Sequence, residues 1–247
     1  MKQKGKISLL VLVLIITTCK AQTALEYYKL GVLNDSIELY AKALKYYSLA
    51  IKKNPKNPNY YVKRANVRYK ISFIQKTPKK EMFNDLNKAI SLETWNYSAV
   101  YWKAFWLYKF IPELHDVDKA ISYLDSLVIR YPERVEAYRL LGEIGLGQRD
   151  TIIANKNYKK LLELTSNKSE IYTEMADFEF IYGFYQQAIN HYSLASNLTN
   201  YRYNNLAISY WKLGKKDDAC IYFREFKEEL RVTGEYQALV DYCKSKK

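Results

Sequence analysis

The chain is poor in the residues that punctuate β-rich folds and in those that carry chemistry. Eight glycines and five prolines in 247 residues are too few turn formers for a sandwich or barrel, and they suit long helices. The two histidines stand apart. His115 sits beside Asp116 in an expected turn and His191 falls in an expected helix, and neither has a His or Cys at metal-ligand spacing. No G-x-x-x-x-G-K-[ST] loop and no G-x-S-x-G elbow is present. Gly142, Gly145 and Gly147 cluster but follow no expected strand, and two of them read as helix positions that allow close packing or local loosening. These absences point away from an enzyme. No catalytic residue, metal or cofactor is expected.

One apolar run does occur. Ile7 to Ile16 follows Lys2, Lys4 and Lys6, is too short to span a bilayer, and fits a secretory signal. Cys19-Lys20-Ala21 then offers a small-x-small cleavage site before Gln22. The rival is lipid attachment at Cys19, where Thr18 is bulkier than a lipobox prefers. Either way residues 1–21 read as a targeting segment and the mature chain as exported to the periplasm or cell envelope.

The mature chain keeps 35 Lys and Arg against 26 Asp and Glu, a formal charge of +9. A basic protein outside the cytoplasm suits anionic glycan, membrane or an acidic protein, whereas export removes most nucleic acid from reach. Read along the sequence, the charge looks spread, with only short clusters such as Lys52-Lys53 and Lys159-Lys160. A solvated lysine-rich surface is the plain alternative.

A 34-residue echo organises the rest. Tyr138-x2-Leu141-Gly142 and Ala154-x3-Tyr158 are answered by Tyr172-x2-Met175-Ala176 and Ala188-x3-Tyr192. Tyr27, Gly31, Ala43 and Tyr47 supply the same pattern earlier, and Tyr61 and Ala65 follow Tyr27 and Gly31 by 34 residues. Tyr203, Ala207, Ala219 and Phe223 supply it later, 31 residues after the fifth unit. This pattern resembles the tetratricopeptide repeat, TPR. The resemblance implies an all-α, right-handed α-solenoid of about six helix-turn-helix repeats over 24–55, 58–94, 98–132, 135–166, 169–199 and 200–231, then a capping helix over 235–243. Small residues are expected where the two helices of a repeat press together, and Tyr47 is expected to fill space against the next repeat. Thr77 to Lys80 reads as an insertion, and Phe105 and Pro112 mark the third repeat as divergent.

Two cysteines remain after Cys19 is removed. Cys220 lies early in one expected helix and Cys243 late in the next, so an antiparallel hairpin sets them side by side. A disulfide pinning the capping helix and two buried free thiols are both open readings. No C-x-x-C exists, so redox catalysis is not expected.

The resemblance also implies a binding groove lined by the first helix of each repeat. Carried over residue by residue, the groove positions are Tyr28, Val32, Val62, Asn66 and Tyr69, then Trp102, Trp106, Lys109, Glu136, Arg139 and Glu143. They continue through Thr173, Asp177, Phe180, Asn204, Ile208 and Trp211. Trp102 and Trp106, one helical turn apart, are expected either to anchor a peptide or to fill an irregular repeat. Asn66 lacks the basic companions that hold a carboxylate tail in some members of the family. The function implied is a non-enzymatic adaptor or assembly scaffold that binds a protein or peptide.

Overall fold

A computed structural model describes residues 22–75, 80–109, 116–196, 198–225 and 237–245. The targeting segment with Cys19, Thr77 to Lys79 of the expected insertion, Pro112, His115 and residues 226–236 lie outside the described residues. Among those described there are thirteen helices and no strand. They are α1 (Ala24–Ser36), α2 (Tyr40–Lys53), α3 (Pro58–Gln75), α4 (Lys80–Leu92), α5 (Tyr97–Lys109), α6 (Val117–Arg130) and α7 (Val135–Gly147). After them come α8 (Thr151–Leu164), α9 (Lys168–Ile181), α10 (Tyr185–Leu194), α11 (Asn200–Lys212), α12 (Lys216–Glu225) and α13 (Gln237–Ser245).

Five of the expected repeats contribute a packed helix pair, α1–α2, α3–α4, α7–α8, α9–α10 and α11–α12, and the motif residues explain the pairing. Tyr47 and Tyr158 on the second helices are fully buried, each laid over the glycine of its partner helix. A Cβ on Gly31 would stand 2.6 Å from the Tyr47 ring, and one on Gly142 would stand 2.8 Å from the Tyr158 ring. Those glycines are therefore the floor of an aromatic slot. Tyr47 reaches Val67 of α3 in the next repeat, as expected, and it also packs on Gly31 of its own repeat. Gly145 is tighter still, since a Cβ there would meet the Ala154 backbone nitrogen at 2.5 Å. All three glycines of that cluster lie in α7, the last of them at its end.

The turns repeat as well. Leu39, Asp150, Phe184 and Lys215 each donate a backbone N–H to the carbonyl five residues earlier, at 2.7 to 2.9 Å. That is the Schellman closure, and it puts the preceding residue at positive φ. Gly183 and Gly214 hold that place at φ 82 and 75, while Glu38 and Arg149 adopt it at φ 61 and 59 without the glycine's freedom. Two tyrosines close the turns between repeats. Tyr61 donates its hydroxyl to the carbonyl of Pro55 and Tyr138 donates to that of Pro132, six residues back in both cases. Much of the tyrosine content is thus structural.

The chain forms two compact units, residues 1–103 and 104–247. In the first, α1 pairs with α2, α2 with α3 and α3 with α4. Buried Asp85 of α4 holds it to α3, accepting two bonds from Arg64 and one from Arg68 at 2.5 to 2.9 Å. In the second, the pairs α7–α8, α9–α10 and α11–α12 stack, and α13 packs on α12. Cys220 and Cys243 form a disulfide with their Cα atoms 5.3 Å apart, beside Ala207, Ile208, Ala219 and Leu239.

The division corrects the picture of a charge spread evenly along the chain. Residues 22–103 carry fifteen Lys and Arg against six Asp and Glu, whereas residues 104–247 carry twenty against twenty. The entire mature surplus belongs to the first unit.

Candidate functional site

The first helices of the second unit, α7, α9 and α11, bring the later groove positions into one row. Ion pairs bridge that row. Arg139 of α7 donates to Glu174 of α9 at 2.7 Å, and Arg202 of α11 donates twice to Asp177 of α9 at 3.0 and 3.1 Å. Lys109 pairs with buried Glu143 in the same way between α5 and α7. In the first unit Lys70 of α3 pairs with Asp35 of α1 at 2.6 Å. Three of these pairs join residues 34 or 35 apart. The cause is the repeat itself: one period forward lands on the same place of the neighbouring first helix.

Asp177 is more heavily engaged than its place in the expected groove suggests. Beyond Arg202, it accepts the buried Tyr192 hydroxyl at 2.7 Å, and Asn205 donates to that same hydroxyl at 3.2 Å. The Asp177 carboxylate therefore ties α9, α10 and α11 together. Burial and the Asp177 bond push the Tyr192 phenol well above its usual range. Nearby, Nδ1 of His191 lies 2.7 Å from a carboxylate oxygen of buried Glu179, and the imidazole stacks on Tyr172. That histidine is packed, and it belongs to no metal cluster; no group of residues able to hold a metal occurs among those described.

Burial sorts the remaining groove positions. Val62, Glu143, Thr173 and Ile208 are buried. Trp106 is 0 % exposed, so it offers no area to a ligand, and of its two open readings the burial fits a residue that fills the repeat. Trp102 itself is half-buried and meets Tyr101 edge-on. Asn66, Tyr69, Arg139, Phe180, Asn204 and Trp211 are also half-buried. The Trp211 ring lies 5.8 Å from that of Tyr242 on α13, with Lys216 over both.

Sequence reasoning missed a polar recess beside this row. Asn167, Ser169, Glu170, Thr173, Ser196 and Arg202 line an open cavity of about 340 Å³. Ser169 and Ser196 hydroxyls meet at 2.9 Å across it. Thr173 was a groove position; Arg202 was not. The available signal was the spacing from Asp177 to Arg202, which crosses the hairpin α9–α10 and returns at α11.

Burial holds the carboxyls of Glu143 and Glu174 above the usual range, with Lys109 and Arg139 pulling each partly back. Both groups bind protons more tightly folded than unfolded. Their stability contribution is therefore full below the ordinary carboxylate value and is lost as pH rises through the raised ones. A Glu143→Gln/Glu174→Gln protein mimics the protonated state. Its denaturant midpoint relative to the wild type is expected to climb from pH 4.5 to pH 7.5. A pH-independent difference would show that these carboxyls do not titrate as described.

An all-α array of hairpins with a polar, ion-paired first-helix face defines the class. Residues 205–229 match a family model for the tetratricopeptide repeat. No curated protein sequence matches the chain. Its fold is similar to that of Pseudomonas aeruginosa PilF at 19% identity, over 88% of this chain and 96% of that one, with a TM-score of 0.65. PilW, described as a widely conserved type IV pilus biogenesis factor, aligns at 16% identity over 88% of this chain and 98% of its own, with a TM-score of 0.72. A tetratricopeptide repeat protein from Parabacteroides merdae aligns at 15% identity over 95% and 88%, with a TM-score of 0.62. The chain shares the fold of these helical-hairpin proteins, and residues 205–229 carry the sequence pattern of the tetratricopeptide repeat.

Proposed function

We propose that the protein is a non-enzymatic adaptor or assembly scaffold of a bacterial cell envelope. It binds a protein or peptide along the first-helix face of its repeats. The observation that carries this reading is the row on α7, α9 and α11, where Arg139, Phe180, Asn204 and Trp211 are half-buried and where Ser169, Thr173 and Arg202 line a polar recess. Such a surface recognises without turnover. Part-buried ion pairs hold its shape, so little conformational entropy is lost on binding, and its mixed charges suit an extended peptide more than a single anion. Export follows from the targeting segment, and PilF and PilW share the fold.

The test uses residues 22–247 as bait in an envelope extract, beside Trp102→Ala and Asn204→Arg variants that keep their circular dichroism spectrum. One protein retained by the parent and lost with Asn204→Arg is the expected result. Equal retention by all three would move the binding surface off the first helices.

A further inference from the structure

The surplus charge of residues 22–103 sits on a unit that also exposes aliphatic side chains at one end. Ile37 and Leu39, in the turn between α1 and α2, are 56% and 43% exposed, and Ile74 near the end of α3 is 67% exposed. Glu38, Leu39, Tyr40, Lys42, Ile71 and Ile74 share an open, mostly apolar groove of about 380 Å³. From its rim a lysine row runs down the exposed face of α2: Lys42, Lys45 and Lys52. Three of this unit's six acids are paired within it, and Glu38 lines the groove among the fifteen Lys and Arg of the unit. Asp35 pairs with Lys70, while Asp85 and Glu81 take up Arg64 and Arg68.

We propose that this unit docks onto an anionic lipid bilayer, with Ile37, Leu39 and Ile74 entering the interface and the α2 lysines lying against the headgroups. Three features favour a bilayer over a soluble acidic partner. The positive charge is a property of a whole unit, which matches an extended negative surface better than a point ligand. The aliphatics stand out around an open groove, as at interfacial sites, and pair with lysines in the way amphipathic membrane-binding surfaces do. The apolar run Ile7 to Ile16 ends only seven residues before α1, so the chain reaches its compartment with this unit next to a membrane. The inference stands apart from the adaptor reading, because the two surfaces lie on different units.

Residues 22–247, free of the targeting segment and Cys19, are sedimented with vesicles of phosphatidylglycerol and phosphatidylcholine at about 100 mM salt, near a Debye length of 10 Å. Binding that weakens with added salt and is absent on pure phosphatidylcholine is expected. Lys42→Glu/Lys45→Glu is expected to lower the partition coefficient on the order of 30-fold or more, from roughly a factor of five per lysine near such a surface. Leu39→Ser/Ile74→Ser is expected to lower it several-fold, while both variants still bind the adaptor's partner. Full binding by the serine variant would overturn the insertion. So would equal binding to uncharged vesicles, which removes the electrostatic part. Retention on a soluble polyanion, with no vesicle binding, would replace the bilayer by a dissolved acidic polymer and overturn the proposal.

Discussion

Trp106→Ala is expected to destabilise the protein by about 3–5 kcal/mol, the usual loss when a fully buried tryptophan is truncated and leaves a cavity. In a chain of this size that is a fall in melting temperature of roughly 10 °C. Trp102→Ala, on the half-buried neighbour one turn earlier, is expected to cost only about 1 kcal/mol. Thermal unfolding of the two variants measures the contrast directly. It matters because i,i+4 spacing puts both rings on one stripe of α5 and gives no reason to separate them. Packed helices cross at an angle, so a stripe is deepest near the crossing and shallower a turn away. Burial, not spacing, separates the two: Trp106 is fully buried and Trp102 half-buried. Equal costs for the two would show that the burial difference has no energetic weight.

Removing the disulfide is the second large effect. Cys220→Ser/Cys243→Ser is expected to lose about 3 kcal/mol, the chain-entropy value for opening a loop closed across a sequence separation of 23. The loss should concentrate in α13. That helix has nine residues, too short to persist alone, and it rests on the array through Leu239, Val240 and Cys243. Hydrogen exchange in α13 should rise far more than in α7 or α9, and a dithiol reductant acting on the wild type should reproduce the shift. With α13 loosened, Trp211 also loses the Tyr242 ring that flanks it. A change below 1 kcal/mol would mean that the helix is held by packing alone.

The repeat was legible because its period is imposed by packing. Gly31 and Gly142 must be small where Tyr47 and Tyr158 lie, so the pattern survives even where other residues drift. The turns were legible at Gly183 and not at Glu38 or Arg149, which take the same left-handed position without the residue that advertises it. The groove was less legible. Family positions say which way a side chain leaves the helix, not what lies in front of it. Asp177 faces the row and is consumed by Arg202 and Tyr192; Thr173 and Ile208 face it and are covered. Those outcomes depend on neighbours one and two helices away. A pairing rule was nonetheless open to a reader of the sequence. Opposite charges 34 or 35 residues apart, as in Asp35 with Lys70 and Arg139 with Glu174, mark adjacent first helices. The uneven charge was also countable, but only the boundary between the units gave it a place.

The most direct measurement places a photo-crosslinking amino acid at Asn204 on α11, at Phe180 on α9 and, as a control, at Lys159 on the exposed face of α8. The three proteins are irradiated in envelope extract. The account predicts one protein adduct of the same mass from Asn204 and Phe180 and none from Lys159. Adducts from Lys159 alone, or none from the first-helix positions while partner capture persists, would contradict a binding face on the first helices.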